Sequence, residues 1–201
     1  MEIRRISYEL VINKLFFNTS TQFYFMPVIV IVGLARTGKD TAADYIASKY
    51  GYAKYTFSSV LSEMIEKRGE QATKEKMIKL GDTVRKQMGM DAVAKILSKK
   101  VLEKDNVLLV GPRSPQEIEY FKARFPELII VKITAKENER FERKSEIDPK
   151  GKKEFFERDK KDLVSKGFQK ALDMAKIELK NDSTEEKLHS AIDKMMAKIQ
   201  A

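Results

Sequence analysis

Residues 28–41 read VIVIVGLARTGKDT, and this stretch decides the fold. Val28 to Val32 are five consecutive β-branched residues. Such a run suits a strand buried on both faces, as in a parallel sheet. A helix is expected from about Lys39 to Tyr50, with Ala42, Ala43, Ile46 and Ala47 on one face and Gly51 in the usual stop position. Between strand and helix lies G-x-x-x-x-G-K, a spacing that suits the holding of an anion. Gly33 permits a tight exit from the strand, and Gly38 lets the backbone approach a phosphate closely. The N–H groups of Leu34, Ala35, Arg36, Thr37, Gly38, Lys39, Asp40 and Thr41 can then point inward at the positive end of the helix. Lys39 would reach the β- and γ-phosphate oxygens of a bound nucleotide. The competing reading is a glycine-containing turn with a surface lysine. The strand before the loop and the helix after it favour the phosphate cradle.

Downstream, apolar runs alternate with helical patterns. Residues 53–57 read as a short strand, 106–110 (NVLLV) as a buried one, and 128–133 (LIIVKI) as another. Residues 175–180 are a weaker last strand. Helices are expected over 59–67, 73–88, 91–102, 115–124 and 185–199. Pro115 sits near the first turn of its helix, and Leu188, Ile192 and Met195 share one face of the last. Residues 136–166 are highly charged and expected to be helical, with a turn at Asp148-Pro149-Lys150-Gly151. Strands alternating with helices imply βαβ units, a parallel sheet and helices on both of its faces. One domain is expected over 26–201. Residues 1–25 mix basic, aromatic and polar residues without a period, and Met26 stands directly before the first strand. We read 1–25 as an upstream extension, the alternative being an extra element packed on the domain.

The chain has 201 residues, enough for a substantial core, and no apolar run reaches the roughly 18 residues of a membrane-spanning helix. It has no cysteine, so disulfides and thiolate-held zinc are excluded, and a reducing cytoplasm fits. A lone histidine, His189, cannot build a multi-histidine metal site and is expected on a helix surface. The net charge is +9. It fits an anionic partner such as a nucleotide or nucleic acid, or a Lys/Glu-laced surface of the kind heat-adapted proteins carry. Lysines alternate with glutamates, as in KEKMIKL, which favours the second reading for most of them.

Asp40 departs from the usual pattern of such loops. In GTPases and many ATPases a Ser or Thr follows the lysine, and its hydroxyl ligates Mg²⁺. The ending G-K-D-T resembles small-molecule kinases, especially phage deoxynucleoside monophosphate kinases, and is similar to the G-K-G-T of adenylate kinases. The resemblance implies that Asp40 contacts Mg²⁺, directly or through water, and that Thr41 donates to the α-phosphate. VLLVGPRSPQEIEYF, residues 107–121, resembles the G-x-R-S of archaeal proteins related to adenylate and dephospho-CoA kinases. It implies an Arg113 that holds a phosphate at the carboxyl end of a strand. Ser114, Pro115 and Glu117 also make a good helix start by themselves. Arg85 and the Gly89–Lys95 stretch GMDAVAK are similar to the same archaeal pattern, and Arg158-Asp159 resembles its F-x-x-R-D.

The resemblance as a whole implies a three-layer α/β fold of the P-loop NTPase type with a charged helical lid over about 136–166. It implies ATP and Mg²⁺ as cofactors and transfer of the γ-phosphoryl group to a small nucleotide-like acceptor. Lid arginines Arg140 and Arg143, three apart on one helix face, would stabilise the transferring group. The loop after the last strand, from Asn181 to Ser183, would lie over the adenine ring. Ser183 and Glu186 also make a capping box, and the two readings of that loop can hold together. Two positions depart from the pattern. Val110 stands where an acidic residue usually precedes the glycine, and Ser62 stands where the acceptor loop usually has an arginine. They favour a second reading, a non-catalytic or regulatory ATP-binding protein that acts on RNA or the ribosome.

Overall fold

A computed structural model describes residues 27–101, 106–146, 148 and 150–200. The expected extension at 1–25, and Met26 after it, lie outside the described residues. The chain forms β1 (Ile29–Val32), α1 (Lys39–Tyr50), β2 (Ala53–Thr56), α2 (Phe57–Glu66), α3 (Lys74–Met88) and α4 (Ala92–Ser98). It continues with β3 (Val107–Val110), α5 (Pro115–Arg124), β4 (Ile129–Thr134), α6 (Glu137–Glu142), α7 (Lys152–Ser165), α8 (Phe168–Asp173), β5 (Ile177–Lys180) and α9 (Glu185–Ile199). The five strands make one parallel sheet in the order β2-β3-β1-β4-β5.

The VIVIV run occupies the centre of this sheet, and its period-2 alternation divides it between two cores. Val28, Val30 and Val32 pack with Phe57, Val60, Val93, Leu97, Phe121 and Phe168 on one face. Ile29 and Ile31 pack with Ala42, Ala43, Ile46, Leu188, Ile192 and Met196 on the other. β1 is thus covered by α1 and α9 on one side and by α2, α4, α5 and α8 on the other. That is the expected three-layer architecture. Every residue of β1 and of β3 is buried, so a polar substitution in either strand would strand a hydrogen-bonding group in apolar surroundings.

Several expectations are corrected. The helix after Asp91 stops at Ser98, where Lys99 and Lys100 close it with three-residue turns onto Ile96 and Leu97, instead of running to Leu102. The helix expected at 59 begins at Phe57, because the Thr56 hydroxyl caps it by accepting from the Ser59 N–H at 3.1 Å. α8 was not anticipated; its Phe168 and Ala171 are fully buried. The last helix is capped at Thr184, not Ser183, and the Thr184 side chain makes no capping bond to the helix N–H groups. The charged segment 136–166 is helical as expected, in two pieces, α6 and α7, on either side of the turn region, with Arg140, Phe155 and Asp159 buried.

β1 lies between β3 and β4, so the chain leaves it in opposite directions to reach its two neighbours. Such a reversal opens a crevice at the carboxyl ends of the strands. The loops after β1 and β3 both emerge there.

Candidate functional site

The loop from Gly33 to Lys39 curls over the end of β1. Gly38 takes φ 88° and caps α1. A Cβ at Gly38 would lie 2.2 Å from Asn181 Nδ2, and one at Gly33 would lie 2.6 Å from the Ile133 carbonyl oxygen. Gly33 is therefore required by its close approach to backbone, and Gly38 by its positive φ, where a Cβ would also displace the Asn181 amide. The loop is braced from several sides. The Thr37 hydroxyl donates to the Leu34 carbonyl at 3.1 Å. Asn181 Nδ2 donates to the Thr37 carbonyl at 3.0 Å. Arg140 Nε donates to the Ala35 carbonyl at 2.8 Å, and its Nη2 pairs with the buried Asp159. Arg143 Nη1 donates to the Asn181 carbonyl at 2.9 Å.

Lys39, at the first helical position, is 13% exposed at its side chain and 3.4 Å from the Asp40 carboxylate. Burial lowers its pKa to about 8; Asp40 acts the other way, and Arg113 and Lys74 add to the lowering. A lysine so placed lacks a counter-charge equal to its burial, and an incoming phosphate would supply it. The Asp40 carboxylate is 65% exposed at the mouth of the loop.

Two cavities meet at this loop. One, of about 310 Å³, runs along Gly38, Thr41 and Arg143. The other, of about 320 Å³, runs past Phe57, Leu61, Met77 and Ile78 toward Arg85, Gly111 and Arg158. Ala35, Arg36, Lys39, Asp40, Lys74 and Arg113 line both. The second cleft has an apolar wall from α2 and α3, and a lining of seven cationic side chains against two carboxylates. That imbalance selects anions.

Arg113 is placed by the turn after β3. Its N–H donates to Glu117 Oε2 at 2.6 Å, its Nη1 to Asp162 at 3.2 Å, and its guanidinium lies 5.3 Å from the centre of the Phe168 ring. Ser114 caps α5 by accepting from the Glu117 N–H at 3.3 Å. Glu117 is fully buried and also accepts from Arg85 Nε at 3.0 Å. The helix-start reading of this turn and the arginine-presenting reading are thus one construction.

The structure brings Lys39, Asp40, Arg113 and Arg143 to the cavities. It does not bring Arg140 there: that side chain is 3% exposed and serves the loop from behind. Asn181 is likewise spent on the loop, its amide bonded beneath Gly38. Residues not singled out for the site, Lys74, Asp162 and Lys166, also line the cleft. Nothing in their local sequence separates them from solvated lysines and aspartates.

A central parallel strand, a glycine-bounded anion loop and an adjoining cationic cleft define a P-loop kinase-like α/β protein. A family model described as an AAA domain matches residues 32–154. The UPF0200 protein of Thermococcus onnurineus (strain NA1) is 32% identical over 184 residues, covering 87% of this chain and 98% of that protein. The UPF0200 protein of Thermococcus gammatolerans is 31% identical over 182 residues, 86% of this chain and 95% of that protein. The chain belongs to the UPF0200 family. Among solved structures, shikimate kinase from Bacteroides thetaiotaomicron matches with a TM-score of 0.58 at 13% identity, covering 87% of this chain and 99% of that one. TT1252 from Thermus thermophilus matches with a TM-score of 0.56 at 18% identity, covering 86% and 97%. At these identities the likeness is one of fold.

Proposed function

We propose that this chain binds ATP with Mg²⁺ at the Gly33–Thr41 loop and transfers the γ-phosphoryl group to a small anionic, nucleotide-like acceptor in the cleft beside it. The observation that carries this reading is the shared wall of the two cavities. A donor phosphate held by the loop and an acceptor in the cleft would both touch Lys39, Asp40 and Arg113. Lys39 would meet the β- and γ-phosphate oxygens, and Arg113 the acceptor or the group in transit. Arg143, at the other cavity, would face the donor phosphates. Arg140 and Asn181 would act indirectly, by holding the loop's shape.

Mg²⁺ usually takes one or two protein carboxylates and completes its shell with phosphate oxygens and water. Asp40 fits that role: it is exposed at the loop mouth and needs little desolvation to accept a cation. Among the described residues no cluster of three or more His, Asp or Glu forms a separate metal cage. Bound there with the nucleotide, Mg²⁺ would neutralise the charge that develops on the phosphate oxygens. Apart from that, catalysis rests on positioning by the loop and the cationic cleft, which also offers an apolar wall for a base or ring.

ATP titrations of the wild type, Lys39→Ala and Asp40→Ala, with and without Mg²⁺, test this assignment. Lys39→Ala should weaken ATP binding roughly 10- to 100-fold, the worth of a charge-assisted contact. Asp40→Ala should flatten the Mg²⁺ dependence. An unchanged Mg²⁺ dependence would remove Asp40 from the metal site. The net charge of +9 also supports the second reading, a regulatory ATP-binding protein acting on RNA. RNA binding with a steep salt dependence and no phosphoryl transfer would favour it.

A further inference from the structure

Where the two cavities meet, three cations converge on one carboxylate. Asp148, in the connection between α6 and α7, has no exposed side-chain surface. Its Oδ1 accepts from Arg158 Nη1 at 2.7 Å and from Lys74 Nζ at 3.2 Å. Its Oδ2 accepts from Arg36 Nε and from the Ser145 N–H, the latter at 3.1 Å. Burial acts to push this carboxyl up, and hydrogen bonds from Arg158, Ser145 and Arg36, with the Lys74 charge, overcome it and hold it well below the usual carboxylate range. The three cations come from separate places: the phosphate loop, α3 and α7. One buried anion gathers them.

These cations are not used up by Asp148. All three line the cleft. Arg158 Nη2 is buried and has no hydrogen-bond partner among the described residues. A buried guanidinium nitrogen without an acceptor is costly, and its natural remedy is an anionic ligand. Arg36 keeps its place with φ 62°, the one positive φ of a non-glycine among the described residues. Such a conformation persists where surrounding bonds hold it, and here its side chain is tied to Asp148 and Ser145. Three cations less one carboxylate leave a surplus of two charges. A phosphate monoester carries close to two negative charges at neutral pH, whereas a carboxylate carries one.

We propose that Arg36, Lys74 and Arg158 form a binding site for a phosphate monoester group of the acceptor, and that Asp148 is the positioning residue that assembles it. This deepens the kinase reading given above by naming the acceptor's chemistry. Arg158 lines only the cleft beyond the loop, so the group sits on the acceptor side. Asp148 works from behind: it is closed to the ligand and fixes the direction of the donors that face it. The same contacts tie the α6–α7 connection to the phosphate loop.

The test is a titration of inorganic phosphate into the full chain carrying Lys39→Ala, followed by ³¹P NMR. Removing Lys39 weakens the loop's own phosphate contact, and the comparison with Arg158→Gln in that background assigns the remaining binding to the second site without requiring ATP binding or turnover. We expect saturable phosphate binding in this background. Arg158→Gln should weaken it at least tenfold, and Asp148→Asn should do the same while Asp148→Glu recovers part of the loss. Thermal melting of each variant separates unfolding from a local loss; if Asp148→Asn does not fold, Arg158→Gln decides. The proposal is overturned if the Lys39→Ala chain binds no phosphate, or if folded Arg158→Gln binds as the Lys39→Ala chain does. Tighter binding in Asp148→Asn would also overturn it, since Asp148 would then be a competing anion. Failure of the kinase reading shows separately, as absence of ATP binding or turnover in the wild-type chain.

Discussion

Replacing Gly38 by Ala strikes the loop at its tightest point. Two costs follow from the geometry. At φ 88° a residue with a Cβ is strained by about 1–2 kcal/mol. The added methyl would also lie 2.2 Å from Asn181 Nδ2, so the amide must turn away and lose its bond to the Thr37 carbonyl. That bond is worth about 1 kcal/mol. The sum is about 2–3 kcal/mol, measurable by urea denaturation as a shift in midpoint at constant slope. Asn181→Ala provides the internal control. In that background the methyl meets no amide, so Gly38→Ala should cost only the backbone strain, and the cycle should show a coupling of about 1 kcal/mol. ATP affinity should fall in Gly38→Ala in both backgrounds. Additive costs, or a Gly38→Ala protein as stable as the wild type, would refute the claim that Asn181 is packed against the loop.

Two further outcomes follow from buried charges. With its pKa lowered to about 8 from 10.5, Lys39 is protonated in the unfolded chain but neutral in the folded one between those values. Its contribution should therefore make stability rise as pH climbs from 8 to 10.5, by up to about 3 kcal/mol. Lys39→Met should accordingly be more stable than the wild type at pH 7 and lose that advantage by pH 10.5, as denaturation at both values would show. ATP binding at pH 9 should take up a proton, visible as a dependence of the measured enthalpy on buffer ionisation. Arg140→Met should destabilise by about 3–5 kcal/mol, because Asp159 is left buried without its partner. Arg140→Met/Asp159→Leu should recover much of that loss in thermal melting.

The glycine-bounded loop was legible in the sequence because its pattern is local. A β-branched run, two glycines at a fixed spacing and a lysine at a helix start specify the loop's fold within a dozen residues. The order of strands and helices carried the three-layer fold in the same way. The cleft was much less legible. Lys74, Arg158 and Asp148 come from charged helices and a turn, where each residue has an adequate local explanation. Asp148 in Asp-Pro-Lys-Gly satisfies turn chemistry, which conceals that it collects three cations from 10, 74 and 112 residues away. Spacing also put Arg140 and Arg143 on one face, yet could not show that Arg140 turns inward to the Ala35 carbonyl. Glu117 read as a helix-start residue, and it is one; its burial against Arg85 depends on packing between α3 and α5 that no local pattern encodes.

In the proposed function the two cavities meeting at Lys39 are the donor and acceptor halves of one phosphoryl-transfer site. The decisive measurement is ADP release with ATP, Mg²⁺ and a panel of acceptors, including nucleoside monophosphates, deoxynucleotides and dephospho-CoA. ADP release should depend on a particular phosphorylated acceptor and disappear in Lys39→Ala. Tight ATP binding with no acceptor-dependent ADP release across the panel would contradict it.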